Sequence, residues 1–308
     1  MTAGTVTDYV EGGSTHQSNA TGNKVFIHDG AAGYVYGGNA NEGNATENAV
    51  TITGGTVNGA SGGSALKGNA TGNTVTISGG TVDSDVFGGS ADQGNATGNT
   101  VTITGGTVKL DVLGGSAYEG NATGNTVTLA GGAVTGAVYG GSCYHSSGTC
   151  DDITGNTLAV LAKGMTVGGD VFNFDTLNFD LATVGANDTV LEVAGGADFS
   201  KVTSANFSFN LADGAALKPG DKIYLIKADT LDIPSLPTSV TVCGHDFVLH
   251  ADANTLTATV KGATPAPYSG GDSSSPTLGE LGLLLSGIAL AGAAAPALRR
   301  REKRSKKL

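Results

Sequence analysis

The stretch NATGNTVTISGG (residues 69–80) decides how this chain folds, because versions of it recur along much of the sequence. Its Asn-Ala-Thr triplet is spaced by 25, 25, 26 and 26 residues, and starts at Asn19, Asn44, Asn69, Asn95 and Asn121. A degenerate sixth copy covers residues 153–156. A period between about 20 and 50 residues is typical of solenoids, propellers and repeat arrays.

Within each period the pattern is that of short strands. Val75 and Ile77 alternate with Thr74 and Thr76, and Gly-Gly follows. Period-two alternation of β-branched residues, ended by glycine, predicts a strand with one buried face. A second apolar stretch in the period also ends in Gly-Gly, as in residues 86–89 (VFGG). The repeats lack the 3.6-residue periodicity of a helix.

We therefore predict an all-β protein, a right-handed parallel β-helix with turns of 25–26 residues. Equivalent residues would stack about 4.8 Å apart, and residues 1–163 would supply five to six turns. A propeller blade needs about 40 residues, and a leucine-rich repeat would need leucines that are missing here.

Stacking also gives the asparagines a role. One file of amides would bond along the solenoid, as in cross-β ladders, and consists of Asn23, Asn48, Asn73, Asn99, Asn125 and Asn156. The five Asn-Ala-Thr triplets also match the N-glycosylation sequon. Because the repeat alone generates them, we interpret them as corners and ladders, with glycosylation as the alternative.

The interval from Asn125 to Asn156 is 31 residues and carries an insertion with Cys143 and Cys150. We predict a disulfide between these cysteines, which suits an oxidising compartment. Free thiols and a metal site with His145 are the alternatives, although the ligand number and spacing do not suit zinc. We expect Cys243 to pack as a small hydrophobe.

Charge is distributed unevenly. The net charge is −11, yet the last ten residues hold seven basic side chains and one acidic one. The rest of the chain carries nine lysines, no arginine and 26 acidic residues. Such an acidic body is unsuited to phosphate backbones, so we predict no nucleic-acid partner.

Beyond the repeats the chain changes character three times. Residues 164–262 are a β-rich continuation or cap, and residues 263–275 are a Pro/Gly/Ser linker. Residues 281–298 carry no charge and would span about 27 Å as a helix, enough for a bilayer core. We predict one transmembrane helix there, with its basic end in the cytoplasm. That end comprises Arg299, Arg300, Arg301, Lys303 and Arg304.

The repeats resemble the passenger regions of bacterial autotransporter-type surface proteins. The resemblance lies in GNATGNTVTITGGTV and VYGGS and in residues 172–179, and covers about residues 15–230. Two features depart from that family. No C-terminal β-barrel translocator follows the repeats. Residues 1–4 lack the basic and apolar regions of a signal peptide, so we expect a fragment, or a sequence that starts downstream of its true beginning.

Residues 276–308 resemble the IPTL-type protein-sorting tail of Gram-negative bacteria. The matching residues are Pro276, Thr277, Leu278, Glu280 and Gly282. Ser275 and Leu281 stand where that family has Ile and Trp. The resemblance implies retention in the membrane, cleavage near residues 276–278 by a sorting protease, and transfer to the outer envelope. A plain tail anchor is the alternative.

Few residues of this sequence are candidates for a catalytic role. A β-helix that cleaves polysaccharide would need clustered carboxylates, and the candidates are Asp83, Asp85 and Asp111, with Lys109 as the nearest base. Asp85 and Asp111 lie 26 residues apart and should stack. We interpret this cluster as a solvated face. No HExxH or nucleotide-binding pattern is present.

We therefore predict no enzyme activity, no cofactor and no metal. The expected function is an envelope-anchored bacterial surface protein, with a β-helical stalk in the periplasm or at the cell surface. Its role would be adhesin-like or structural, and its host or cell-surface ligand is not identified by the sequence. The alternatives are a carbohydrate-active β-helix enzyme and a non-functional fragment of a longer surface protein.

Overall fold

A computed structural model describes residues 4–143, 152–213 and 216–262. In these ranges every regular element is a β-strand, and the strands wind into a parallel β-solenoid of about 8 turns with about 26 residues per turn. No helix in the described ranges is long and apolar enough to cross a membrane. The predicted linker, sorting motif, helix 281–298 and basic end lie outside the described residues.

The strands up to residue 117 are β1 (Thr5–Glu11), β2 (Ser14–Thr15), β3 (Ala20–Thr21), β4 (Lys24–Ile27), β5 (Ala31–Ala40), β6 (Ala45–Thr46), β7 (Ala49–Ile52), β8 (Thr56–Ala65), β9 (Ala70–Thr71), β10 (Thr74–Val82), β11 (Val86–Ala91), β12 (Ala96–Thr97), β13 (Thr100–Val108) and β14 (Val112–Ala117). The later strands are β15 (Ala122–Thr123), β16 (Thr126–Val134), β17 (Val138–Cys143), β18 (Thr157–Val160), β19 (Met165–Val167), β20 (Val171–Phe172), β21 (Thr176–Thr183), β22 (Thr189–Asp198), β23 (Phe207–Asp213), β24 (Lys222–Asp232), β25 (Ser239–Val242), β26 (His245–Ala251) and β27 (Thr255–Val260).

Stacking of equivalent residues is confirmed by the strand register. Val75 of β10 pairs with Val50 of β7 and with Val101 of β13, one turn away on either side. All three side chains are fully buried, whereas Thr102 next to Val101 is partly exposed. Files of Val, Ile and Leu therefore fill the narrow core, and threonines cover its outside.

The solenoid is longer than the five to six turns expected from the repeats. β18, β19 and β20 pair in parallel with β21 and β22, which pair in turn with β23 and β24. Larger apolar residues, among them Phe174, Phe179 and Phe199, fill the core of these turns. Parallel stacking thus continues past the repeats because inward apolar residues suffice for it, without the Asn and Gly signature.

The change from 25 to 26 residues per turn occurs at one corner. Two residues separate the inward Val57 and Ala60 of β8, whereas three separate Val82 from Val86 in the next turn. The added residue divides the long strand seen in β8 into β10 and β11. It also places Asp85 beside the position that Gly59 holds one turn earlier.

Residues 239–260 end the described chain with antiparallel pairing. β25 pairs with β26, β26 with β27, and β27 with the last parallel strand, β24. Pairing of this kind occupies the edge of β24, which would otherwise stay open. Cys243 lies in the turn between β25 and β26, with a φ of 48°. It is exposed and its Sγ donates to the carbonyl of Leu211 at 2.7 Å. The expectation that it packs as a small hydrophobe was therefore wrong, because the hairpin turn that holds it lies at the surface.

Two asparagine ladders join the turns. In the inner ladder, Asn48, Asn73, Asn99 and Asn125 are buried, and each donates through its backbone N–H and its Nδ2 to Oδ1 of the next asparagine. The outer ladder uses the Asn-Ala-Thr asparagines Asn19, Asn44, Asn69 and Asn95, whose Oδ1 atoms accept a backbone N–H from the following turn. The predicted ladder role of these residues is therefore confirmed.

Glycines are required beside the inner ladder. A Cβ atom at Gly63 or Gly89 would collide with the side chain of Asn73 or Asn99. The second glycine of each apolar-Gly-Gly stretch thus gives the amide the room it needs to reach the next turn.

Candidate binding face

Two neighbouring files of residues run across the turns and bring aromatic and acidic side chains together. The ring column holds the residue that follows the inward residue of each strand, namely Tyr36, Ser61, Phe87, Leu113, Tyr139, Phe172, Asp198 and Asp232. The acid column lies two residues earlier and holds Tyr34, Gly59, Asp85, Asp111, Ala137, Asp170, Gly196 and Thr230. Together we name them the ring–acid face.

Aromatic rings cluster in the middle of the ring column. The Tyr139 and Phe172 rings meet nearly edge to face, with centroids 4.2 Å apart. Both residues, like Phe87, are partly exposed, whereas Leu113 between Phe87 and Tyr139 is buried. The rings therefore border solvent while neighbours on adjacent turns support them.

A second aromatic cluster lies at the start of the same face. Tyr9 packs against Tyr34 and Tyr36, with ring centroids 6.4 and 5.9 Å apart. Tyr9 is 62 % exposed. The small residues Gly59 and Ser61 separate this cluster from Phe87.

Main-chain hydrogen bonds hold the carboxylates of the acid column. Oδ1 of Asp85 accepts the backbone N–H of Asp111 at 3.0 Å, and Oδ1 of Asp111 accepts that of Ala137 at 2.8 Å. Oδ1 of Asp170 accepts the N–H of Gly196 at 2.7 Å. Each bond crosses to the following turn and uses one oxygen of the carboxylate, so these acids contribute to stacking.

Two tyrosines of the ring column have raised pKa values. Burial, followed by the negative charges of Asp111 and Asp170, raises the pKa of the Tyr139 phenol. Burial and the neighbouring Tyr9, Tyr34 and Glu11 raise the pKa of Tyr36. Both phenols are protonated near neutral pH, and the Tyr139 hydroxyl takes part in a side-chain hydrogen bond with Asp111.

An open cleft of about 490 Å³ lies at the far end of the face. Asp170, Phe172, Asp198 and Asp232 contribute to its walls. Its remaining lining residues are Gly196, Ala197, Thr230 and Leu231. The cleft thus combines an aromatic ring with three carboxylates and has no basic side chain in its lining.

The predicted acid cluster is assembled only in part. Asp85 and Asp111 stack as expected, but Asp83 forms an ion pair with Lys109 at 2.7 Å on the neighbouring turn. Within the described ranges no group of three His, Cys, Asp or Glu side chains is placed to hold a metal ion.

Cys150 lies outside the described residues, so the disulfide with Cys143 stays a prediction.

The main features of this face lie outside the regular repeat pattern of the sequence. Tyr139 and Phe172 occupy the position before Gly-Gly or its equivalent, and Asp170, Asp198 and Asp232 lie beyond the regular repeats. The recurring apolar-aromatic-Gly-Gly stretches were the available signal for the ring column. Only the register of β20, β22 and β24 shows that the rings lie next to acids from later in the chain.

Fold and face together define a β-solenoid protein with one mixed aromatic and acidic surface. No family model, no curated protein and no solved structure matches the chain. Its function is therefore argued from its own residues.

Proposed function

We propose that the protein is an envelope-anchored bacterial surface protein whose β-solenoid is a non-catalytic stalk with an adhesin-like or structural role. The observation that carries this proposal is the ring–acid face, which runs along a solenoid whose turns are joined by asparagine ladders. Such a scaffold holds an extended surface in a fixed shape, as repeat proteins do when they bind along their length.

The positions of the acids support a non-catalytic role. Asp83 is engaged by Lys109, while Asp85 and Asp111 accept main-chain N–H groups. A carboxylate that acts as acid, base or nucleophile must be free to reach a bound substrate. These three side chains instead serve the packing of one turn on the next.

A carbohydrate-active enzyme is the alternative function. A variant with both Asp85→Asn and Asp111→Asn keeps the size of the side chains. Under our proposal any glycan turnover by the protein stays unchanged in this variant. A large loss of turnover, with the far-ultraviolet circular dichroism spectrum intact, would favour the enzyme.

The envelope location rests on residues 276–308. The uncharged segment 281–298 followed by basic residues suits a single span with a cytoplasmic end. The membrane is thus the proposed partner of this segment, and a sorting protease is the proposed partner of residues 276–278. We propose no nucleic-acid partner. We place the acidic solenoid in the periplasm or at the cell surface.

Fractionation of bacterial cells tests the anchor. Truncation after Ser275 should move the protein from the membrane pellet to the soluble or secreted fraction. Ala289→Arg should do the same, because a central arginine costs about 2.5–3.5 kcal/mol on insertion scales. Ala289→Leu is the matched control and should remain in the pellet. The anchor is disproved if the truncated protein still pellets after a carbonate wash.

Labelling of intact cells tests the display. An antibody against the solenoid should bind intact cells, or cells whose outer membrane alone is permeabilised. Labelling only after both membranes are opened would place the solenoid in the cytoplasm and contradict the proposal.

A further inference from the structure

The ring–acid face offers the two kinds of contact that a sugar needs. The C–H faces of a pyranose ring pack against aromatic rings, and its hydroxyls need acceptors and donors. Phe87, Tyr139 and Phe172 present partly exposed rings. The carboxylates of Asp170, Asp198 and Asp232 lie around the cleft together with the Phe172 ring. The Tyr139 hydroxyl is engaged in a side-chain hydrogen bond with Asp111, and its oxygen keeps lone pairs that accept from a sugar hydroxyl.

The direction of the face suits a linear ligand. The ring column crosses one strand per turn, so its members follow each other at about 4.8 Å along the solenoid axis. A pyranose unit in an extended chain has a length of that order. An oligosaccharide laid along the axis therefore keeps nearly the same relation to every turn that it crosses.

The charge of the cleft restricts the type of sugar. Three of its eight lining residues are aspartates and none is basic. Uronic or sialic acids would place a carboxylate against these carboxylates without a compensating cation, which is unfavourable. A neutral saccharide meets the same oxygens with hydroxyl donors.

We infer that the ring–acid face from Phe87 to Asp232 binds a neutral oligosaccharide, which lies along the solenoid axis over Tyr139 and Phe172 and enters the cleft. This inference deepens the adhesin-like role proposed above and rests on it for its biological setting. Tyr139 and Phe172 form the platform, while Asp170, Asp198 and Asp232 accept sugar hydroxyls.

Isothermal titration calorimetry of the full chain tests the inference. The probes are hexasaccharides of glucose, mannose, galactose and N-acetylglucosamine, with a galacturonic acid hexamer as the anionic counterpart. At least one neutral probe should bind and the anionic probe should bind less tightly. Phe172→Ala and Tyr139→Ala should each weaken binding about tenfold or more, while Phe172→Tyr should retain it.

Phe26→Ala is the matched control. Phe26 is an exposed aromatic residue on β4, outside both columns, so this variant should bind like the wild type. Circular dichroism verifies that each variant is folded. Absence of binding to all four neutral probes overturns the inference. Equal affinity in folded Phe172→Ala, or binding of the anionic hexamer as tight as that of the neutral one, does so too.

The sugar-binding test and the fractionation test can fail independently of each other. Loss of the anchor would remove the proposed envelope location and leave the binding result as measured. Absence of sugar binding would remove the ligand class and leave a displayed structural stalk.

Discussion

Asn73 and Asn99, one turn apart, are joined by two hydrogen bonds to a single oxygen. The backbone N–H of Asn73 donates to Oδ1 of Asn99 at 2.9 Å, and Nδ2 of Asn73 donates to the same atom at 3.0 Å. Nδ2 of Asn99 in turn donates to the carbonyl of Ala70 and to Oδ1 of Asn125. One buried side chain therefore satisfies polar groups of the two turns on either side of its own.

Asn99→Ala should strongly destabilise the solenoid, because it leaves several buried donors and acceptors without partners. Each such group costs about 1–3 kcal/mol, so we expect the free energy of unfolding to fall by about 3 kcal/mol or more. Urea denaturation followed by circular dichroism measures the change.

Asn95→Ala is the control for the ladder. Asn95 is exposed and accepts one backbone N–H, that of Asn121, at 2.9 Å. Water replaces such a bond readily, so its loss should cost about 1 kcal/mol or less. Equal losses of unfolding free energy in Asn99→Ala and Asn95→Ala would show that the inner ladder stabilises the protein no more than the outer one.

Val101→Asp and Thr102→Asp test the assignment of faces. Val101 is fully buried between Val75 and Val127, so a carboxylate there would lose its hydration without a partner, at a cost of several kilocalories per mole. Thr102 is partly exposed, and the same change there should cost far less. Comparable melting temperatures for the two variants would contradict the register.

Glu47→Gly should stabilise the protein. Glu47 has a φ of 54°, at a corner where the other repeats place glycine, such as Gly72 and Gly98 with a φ of 64° each. A side chain in this left-handed region costs roughly 1–2 kcal/mol, part of which is offset by the greater freedom of glycine in the unfolded chain. We expect a gain of about 1 kcal/mol in the free energy of unfolding.

The reciprocal variant, Gly98→Glu, moves the same strain to an equivalent corner. A Cβ atom at Gly98 would meet no other atom, so only the backbone conformation opposes the change. Its stability should fall by about the amount that Glu47→Gly gains. A stabilised Gly98→Glu protein would rule out the conformational explanation.

Asp188 should make stability depend on pH. Burial alone would raise the pKa of Asp188, but hydrogen bonds from Lys163 Nζ, at 2.7 Å, and from the Gly185 N–H lower it below 3.8. A carboxyl with a lowered pKa in the folded state stabilises the protein above its unfolded pKa. That contribution disappears as the pH falls through the folded pKa.

The comparison of wild type with Asp188→Asn measures this contribution. The difference in unfolding free energy between the two should shrink as the pH falls from about 6 to about 2. Lys163→Met removes the ion-pair partner and should flatten the same profile in part. A difference that stays constant with pH would exclude linkage at Asp188.

How far the sequence foretold this structure depends on the region. Val75, Thr76 and Asn73 recur at fixed spacing, so their burial, exposure and ladder role followed from stacking alone. The predicted number of turns was too low, because the turns beyond Gly164 were not recognised. Their strands β21 and β23 carry no corner signature, although their inward residues pair in register. Local pattern predicts a strand, whereas only the assembled core shows which strand it stacks on.

The binding face was harder to foresee for the same reason. Tyr139 and Phe172 are 33 residues apart in sequence, across the enlarged turn, yet their rings touch. Asp170 joins Asp85 and Asp111 in one column only after that enlarged turn is aligned. Residues grouped by stacking leave no contiguous motif.

The inner ladder also determines how the solenoid would respond to tension. Its bonds run from turn to turn, so an end-to-end pull loads every interface in series, and the weakest one yields first. The ladder ends at Asn156, whose backbone N–H donates to Asp175 at 3.2 Å instead of to another asparagine amide. The turns before Asn156 therefore resist such a pull with ladder bonds in addition to strand pairing, whereas the turns beyond it rely on strand pairing and on the packing of Phe174, Phe179 and Phe199.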